Sequence, residues 1–220
     1  MKKYICLILC FCFLLIVGCK ENTDNANDYK SKTGGLSNKI EFKIYDDKSK
    51  TWLDNSHIDK IILKSNDAES GIIIKTTQDG KKLLREATEK NMGKILSISV
   101  GEKKLYSALV SAPIEDGEVL LNYSYFDYTY LYNYLTGAND LMAGVTPPKT
   151  IISEDQAQKI IFDYKKIPVD KVSDIITTLK ITEKSFSWQY YIDFSFDGIK
   201  HSAEVNAHSG EIIKFASDFT

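Results

Sequence analysis

Histidine side chains are the residues in this sequence that could hold a metal ion or move a proton near neutral pH. The three histidines are His57, His201 and His208, and no second histidine lies three or four residues from any of them. A metalloprotease helix needs two histidines spaced by four residues, with a glutamate beside the first. The pattern therefore predicts neither a metal site nor a cofactor. We expect His201 in a strand and His208 in a turn, without a catalytic role.

Neighbouring carboxylates are the other candidates for acid–base chemistry. They form three pairs: Asp46-Asp47, Glu115-Asp116 and Glu154-Asp155. Adjacent residues in a turn do not face each other across a substrate, and the last pair complements the positive end of a helix dipole. The chain also has no Gly-x-Ser-x-Gly motif and no phosphate-binding loop. These observations predict no catalytic residues.

The cysteines are confined to the start of the chain: Cys6, Cys10, Cys12 and Cys19. Beyond Cys19 there is no thiol for a disulfide, for a metal or for nucleophilic attack. Lys2 and Lys3 precede an uncharged stretch at 4–18, which is shorter than the roughly 20 apolar residues of a membrane-spanning helix. A positive start and a short apolar region that ends in a small residue are typical of a secretory signal peptide. An uncleaved anchor helix is the alternative.

The end of the apolar stretch, Ile-Val-Gly-Cys at 16–19, resembles the lipobox of bacterial lipoproteins. The resemblance implies a signal peptide at 1–18, cleavage after Gly18 and a diacylglyceryl group on the Cys19 thiol. It also implies that the freed amine can take a further fatty acid such as palmitate. Each buried methylene contributes about 0.8 kcal/mol, and stable anchoring needs two or more chains. We expect a protein anchored by its N-terminal lipid to the outer face of the cytoplasmic membrane.

Composition limits the classes of partner. The chain has 220 residues, which is enough for one large domain or two small ones. Its 28 basic and 30 acidic residues give a net charge of −2. Removal of residues 1–18 would also remove Lys2 and Lys3, so the remaining chain would be more acidic. A mildly acidic protein of this kind is not expected to bind nucleic acid.

A polar segment separates the anchor from the first predicted domain. Residues 19–38 have almost no apolar side chains, which predicts a flexible tether. Residues 39–142 are predicted to form the first domain. Branched and aromatic residues are concentrated at 40–45, 58–64 and 71–76, as they are in strands.

Two helices and a hairpin complete this first domain. Helical spacing at 78–91 places four residues on one face: Leu83, Leu84, Ala87 and Thr88. Two further strands are joined by a tight Gly-Glu turn after Val100. A second helix is predicted to end before Gly137, with Ser124 and Asp127 in capping-box spacing.

The second predicted domain follows a linker at 143–150, where two prolines can continue neither a helix nor a central strand. Residues 151–220 begin with a helix capped by Ser153, with Gln156 three residues on. Its predicted buried stripe is Ala157, Ile160, Ile161 and Tyr164. Strands separated by short turns follow, so we predict an α+β fold. It has two small domains, each an antiparallel sheet with one or two helices packed on it.

The region 71–137 resembles the head domain of the first extracytoplasmic loop of SecD. The matching segments are "TEKNMGK", "ILSISV", "LYSALV", "API" followed by Gly117, and "YLTG", although Leu109 replaces a proline of that family. SecD couples this head to a bundle of membrane helices, and this sequence has one hydrophobic stretch. The resemblance therefore implies a binding scaffold without the proton-driven motor.

The region 150–215 resembles a PepSY domain. The matching segments are "SEDQAQKI", "WQYYIDF" and "AEVNAHSGEI", with Asn206 in place of the usual aspartate and Ser209 in place of threonine. Peptidase inhibition is the role usually proposed for PepSY domains. The two resemblances together imply a non-enzymatic module that binds a peptide or protein and restrains a peptidase or assists secreted or envelope proteins. The alternative is an enzyme that processes an envelope polymer through carboxylates that the sequence does not pair.

The segment 122–135 contains six tyrosines. Helical spacing predicts one core stripe: Tyr128, Leu131, Tyr132 and Leu135. A second stripe of Phe126, Tyr130 and Tyr134 needs another partner, because a helix on a sheet buries one face. These three residues are the candidate interface, either with the second domain or with an external peptide or glycan.

Overall fold

The computed structural model describes residues 31–64, 70–123 and 126–218. Within these ranges the chain folds into three four-stranded antiparallel sheets and three α-helices, which confirms the predicted α+β class. No helix in the described ranges is both long and apolar enough to cross a membrane. The predicted signal peptide, Cys19 and most of the predicted tether lie outside the described residues.

The N-terminal lobe spans residues 31–142, and its described residues form eight strands and two α-helices. The strands are β1 Lys32–Gly34, β2 Phe42–Asp46, β3 Thr51–Asp54, β4 Ile58–Lys64, β5 Gly71–Thr76, β6 Ile95–Val100, β7 Lys103–Leu109 and β8 Glu118–Leu121. The helices are α1 Gln78–Lys90 and α2 Tyr128–Thr136. The first sheet has the order β1-β4-β5-β8 and the second the order β3-β2-β6-β7.

The N-terminal lobe therefore has two sheets where the sequence predicted one. Both sheets contribute to a single buried cluster, which includes Ile61 and Ile72 of the first sheet and Phe42 and Ile98 of the second. The short strands β1 and β3 were not predicted. They add backbone pairs at the outer edges of the sheets and carry little of the apolar periodicity that marks a strand.

The predicted tether extends too far toward the C-terminus. β1 pairs with β4 in the register Thr33 to Ile62, and this pairing uses the backbone and needs no apolar side chains. Gly34 is required there because a Cβ atom would lie 2.8 Å from Thr136 Cγ2 on α2. The Ser37 amide also donates to the Leu135 carbonyl at 2.9 Å. Residues 32–38 are thus part of the folded lobe.

Helix α1 begins and ends as its sequence predicts. The Thr77 hydroxyl caps it by accepting from the Gly80 amide, and its buried residues include Leu84, Ala87 and Thr88. Helix α2 differs from its prediction at the N-terminus. Its cap is Asp127, whose carboxylate accepts from the Tyr130 amide, so the helix begins at Tyr128. Ser124, the predicted cap, lies outside the described residues.

The C-terminal lobe, residues 151–218, contains helix α3 Glu154–Lys165 and strands β9 Val172–Thr182, β10 Ser187–Phe196, β11 Ile199–Asn206 and β12 Ile212–Asp218. Its sheet has the order β12-β11-β10-β9. The predicted capping box is confirmed, because the Ser153 hydroxyl accepts from the Gln156 amide while the Gln156 side chain accepts from the Ser153 amide.

The buried stripe of α3 is rotated relative to its prediction. Ala157 and Ile161 are fully buried as expected, but Tyr164 is 64% exposed and Phe162 is buried in its place. Phe162 packs edge-on against Phe194 of β10, with ring centroids 5.2 Å apart. The sheet beneath the helix thus decides which aromatic residue is covered.

Candidate functional site

An apolar cavity of about 340 Å³ opens in the N-terminal lobe. One wall is the inner face of the second sheet, where Ile98 pairs with Ile44 on one side and with Tyr106 on the other. A second wall is the face of α1 that carries Leu84 and Thr88. The segment 110–114 and Val119 of β8 close the third side, so the cavity lies between three different parts of the lobe.

Hydrogen bonds hold the covering segment in place. The Thr88 hydroxyl donates to the Leu84 carbonyl at 2.8 Å and accepts from the Ile114 amide at 3.0 Å. At the N-terminal end of this segment, the Val110 amide donates to the Lys94 carbonyl at 2.9 Å. Beyond its C-terminal end, the Thr76 hydroxyl donates to the Gly117 carbonyl at 2.9 Å. The segment that covers the cavity is therefore hydrogen-bonded at both ends and at Ile114, and ligand sites are usually pre-formed in this way.

Apolar surface continues from the cavity to solvent along β7. Among the described strands, β7 is the outer strand of its sheet, and its partner is β6. Leu109, which also lines the cavity, is 65% exposed, and its cross-strand partner Ile95 is 49% exposed. An outer strand presents unpaired backbone groups to solvent. A ligand could thus contact the strand edge and the cavity together.

The lining of the cavity is mainly apolar. Among the described residues that line it, none is His, Cys, Asp, Glu, Lys or Arg. Its polar side chains are Thr88, Ser111 and Tyr106, and the Thr88 hydroxyl is occupied by the bonds described above. Such a lining suits aliphatic groups and offers no acid, base or metal ligand.

The three predicted interface residues surround one side chain of the C-terminal lobe. Phe186 lies between β9 and β10, is 1% exposed and belongs to the buried cluster of the N-terminal lobe. Its ring centroid is 5.0 Å from that of Tyr134, 6.3 Å from that of Tyr130 and 6.4 Å from that of Phe126. Phe126 precedes α2, so the predicted helical stripe contains the two tyrosines only.

Polar contacts surround this aromatic cluster. The Asp127 amide donates to the Phe186 carbonyl at 2.8 Å, and the Asp127 carboxylate accepts from the Trp188 indole at 3.0 Å. The Lys103 ammonium, at the start of β7, lies 3.3 Å from the Glu183 carboxylate. Phe186 was not singled out from the sequence, because it falls in the turn between two predicted strands.

The histidines occupy three separate environments. His57 ends a 3-10 turn beside Asp54, with Nδ1 2.9 Å from the carboxylate. His201 lies in β11 as predicted, where its ring stacks on Phe194 and its Nδ1 is 2.8 Å from the Ser217 hydroxyl. His208 lies in the turn after β11, as predicted. Burial lowers its pKa, and the nearby Asp127 carboxylate opposes that shift.

The three carboxylate pairs do not line the apolar cavity. Asp46 accepts from the Lys50 amide, the Trp52 indole and the Lys48 amide. Burial acts to raise the pKa of Asp46, but these hydrogen bonds outweigh it and the pKa is lowered. The pair Glu154-Asp155 lies in the first turn of α3, where it was expected.

A second cavity, of about 320 Å³, lies in the C-terminal lobe. Its lining includes three carboxylates, those of Asp174, Asp193 and Asp218, together with Lys200 and His201. None of these carboxylates was singled out from the sequence, because they come from different strands. Among the described residues, no group of three or more His, Cys, Asp and Glu side chains is placed to hold a metal ion.

Comparison with known proteins finds no matching family model, curated protein or solved structure. The resemblances to the SecD head domain and to PepSY domains thus stay predictions.

Proposed function

We propose that this chain is a membrane-anchored extracytoplasmic lipoprotein that binds an extended, apolar segment of another protein without catalysing a reaction. The observation that carries the proposal is the apolar cavity beside the edge of β7. Its volume of about 340 Å³ is small for a large cofactor, and its lining is suited to aliphatic side chains.

The edge of β7 supports a peptide as the ligand. An extended segment that adds to an outer strand gains main-chain hydrogen bonds, and its alternate side chains enter pockets beside the sheet. Leu109 connects the strand edge to the cavity, since it is exposed and lines the cavity at once. A ligand without a peptide backbone would use the cavity but not the edge.

The lipobox-like segment that ends at Cys19 supports the proposed anchor. A diacylglyceryl group there would hold the lobes at the outer face of the cytoplasmic membrane, where secreted and envelope proteins pass. The PepSY-like residues of the C-terminal lobe extend the proposal to the restraint of a peptidase. The direct partners are then the membrane, through the lipid, and an unfolded or extended protein segment.

A second candidate function is an enzyme that processes an envelope polymer. The observation that favours it is the C-terminal cavity, where Asp174, Asp193 and Asp218 lie in one lining. Turnover of glycan or peptide substrates by the purified protein, abolished by Asp193→Asn, would support this alternative over the binding function.

Fluorescence anisotropy with a set of labelled five-residue peptides tests the binding function. The peptides have blocked ends, no charge, and leucine, valine or serine at alternate positions. We expect the aliphatic peptides to bind and the serine peptides not to bind. Ala112→Glu places a charge on an exposed lining residue and should weaken binding by about tenfold or more, since an isolated charge at an apolar contact is costly.

Ala143→Glu is the matched control, because Ala143 is also an exposed alanine but is absent from the lining of the cavity. It should leave peptide affinity unchanged. The proposed function would be contradicted if Ala112→Glu did not weaken peptide binding. It would also be contradicted if the aliphatic and the serine peptides bound equally.

A further inference from the structure

Four aromatic rings connect the apolar cavity to the contact between the lobes. Tyr106 lines the cavity and lies edge-on to Tyr123, with ring centroids 6.1 Å apart. The ring of Tyr123 is 5.7 Å from that of Phe126, which in turn is 6.4 Å from that of Phe186. Each distance lies within the range in which aromatic pairs attract each other. The series therefore links the cavity to the C-terminal lobe through successive ring contacts, one of which involves Tyr123, a residue that is 49% exposed.

Strand β7 provides a second connection between the same two places. At its start, the Lys103 ammonium pairs with Glu183 at 3.3 Å and lies 4.9 Å from the ring centroid of Tyr134. Farther along the same strand, Tyr106 and Ala108 line the cavity. A shift of the C-terminal lobe would thus act on the strand that forms the cavity wall.

The backbone of Phe186 is held by groups from both lobes. Its amide donates to the Thr182 carbonyl of its own lobe at 2.8 Å, and its carbonyl accepts from the Asp127 amide of the N-terminal lobe at 2.8 Å. Its φ angle of +52° is one that residues with side chains rarely adopt. Phe186 is 1% exposed, and its uncommon backbone conformation is maintained by the structure around it.

We propose that the C-terminal lobe controls the peptide site. When Phe186 is seated, it supports Phe126, Tyr123 and Tyr106 in turn, so the wall of the cavity is already in place for a ligand. Burial of Phe186 in the N-terminal lobe then raises the affinity of the cavity for peptide, and bound peptide favours burial of Phe186 by the same factor. A partner that pulls the C-terminal lobe away would release the bound segment. This inference rests on the proposed peptide-binding function.

A double-mutant cycle without any ligand tests the coupling. Tyr106→Leu and Phe186→Leu change the two ends of the ring series and keep apolar side chains in place. Each single substitution changes the unfolding equilibrium constant by some factor. We expect the factor for the double variant to differ from the product of the two single factors by about threefold or more, because for independent sites the two agree within about twofold. Additive effects would overturn the coupling.

The matched control pair is Leu84→Ala with Phe186→Leu. Leu84 lines the same cavity from α1 and is not part of the ring series, so this pair should be additive within about twofold. Non-additivity of the same size in the control pair would also overturn the proposal, because it would show that any change in the cavity has this effect.

Trp188 provides the reciprocal measurement with ligand present. The chain has two tryptophans, so Trp52→Phe leaves Trp188, which contacts Asp127 of the other lobe, as the reporter. The probe is the blocked, uncharged peptide Thr-Leu-Thr-Leu-Thr, which is transparent to tryptophan excitation. We expect saturation with this peptide to reduce acrylamide quenching of Trp188 by about half or more, because a better-seated interface excludes the quencher.

The outcomes separate the two proposals. Binding of the peptide with unchanged quenching of Trp188 would overturn the coupling and leave the binding function intact. A peptide that fails to bind contradicts the binding function, and the ligand-free cycle then decides the coupling on its own.

Discussion

The ring of Phe186 in the C-terminal lobe lies 5.0 Å from the ring of Tyr134 in the N-terminal lobe, at an interplanar angle of 66°. This edge-on contact joins a hairpin of one lobe to a helix of the other. Because Phe186 is fully buried, the two lobes share part of one core. Separation of the lobes would expose the aromatic face of α2, which water disfavours.

Phe186→Ala should lower the free energy of unfolding by about 3–5 kcal/mol, because it removes a fully buried aromatic side chain and leaves a cavity. Urea denaturation followed by circular dichroism measures the change. Tyr164→Ala is the control, since Tyr164 is 64% exposed and its loss should change the stability by less than about 0.5 kcal/mol. Equal effects of the two substitutions would contradict the shared core.

Asp127→Ala should cost roughly 0.5–2 kcal/mol for the lost helix cap alone, and the unpaired Trp188 indole should add to this cost. Asp127→Asn keeps an acceptor for the Tyr130 amide and should retain most of the cap. The same urea denaturation compares both variants. An alanine variant as stable as the asparagine variant would show that the Asp127 side chain does not support α2.

The stability of the protein should fall as the pH is lowered below about 6.5, the ordinary pKa of histidine. Burial lowers the pKa of His208 in the folded state, so the unfolded chain binds the proton more readily there. His208→Gln should therefore flatten the dependence of the melting temperature on pH between about 7.5 and 5.5.

The control for this pH effect is Ser209→Ala, because Ser209 is an exposed residue of the same turn as His208 and carries no group that titrates in this range. It should leave the slope between the same pH values close to that of the unchanged protein. A slope that survives His208→Gln would assign the pH dependence to another group.

Cys19→Ala should prevent lipidation and shift the protein from the membrane fraction to the soluble or secreted fraction. Growth of cells with a radioactive fatty acid, followed by gel electrophoresis of the protein, measures this directly. Retention of the label in the Cys19→Ala variant would contradict the proposed anchor. Tyr29→Ala, which changes the predicted tether and keeps the cysteine, should remain labelled.

Local patterns in the sequence accounted for much of the fold. The bounds predicted for β4 and β5 agree with the structure, because branched residues and the turns around them mark those strands. The capping box at Ser153 and the end of α2 before Gly137 were likewise predicted. Each of these features depends on residues that are close together along the chain.

The remaining features depend on distant residues. The strand at 32–34 exists because β4 offers it a partner, and nothing in the composition of the strand itself indicates this. The burial of Phe162 instead of Tyr164 depends on the position of Phe194. The apolar cavity is formed by α1, four strands and the segment 110–114, and no local motif brings these together.

Amide hydrogen exchange of the protein with and without the Thr-Leu-Thr-Leu-Thr peptide tests the central claim, binding of an extended segment at the edge of β7, most directly. Strand β12, Ile212–Asp218, serves as the internal control because it is the outer strand of the other lobe's sheet. We expect slower exchange within Lys103–Leu109 on addition of the peptide, and no change in β12. Unchanged exchange in β7 at saturating peptide, or equal protection of β7 and β12, would contradict it.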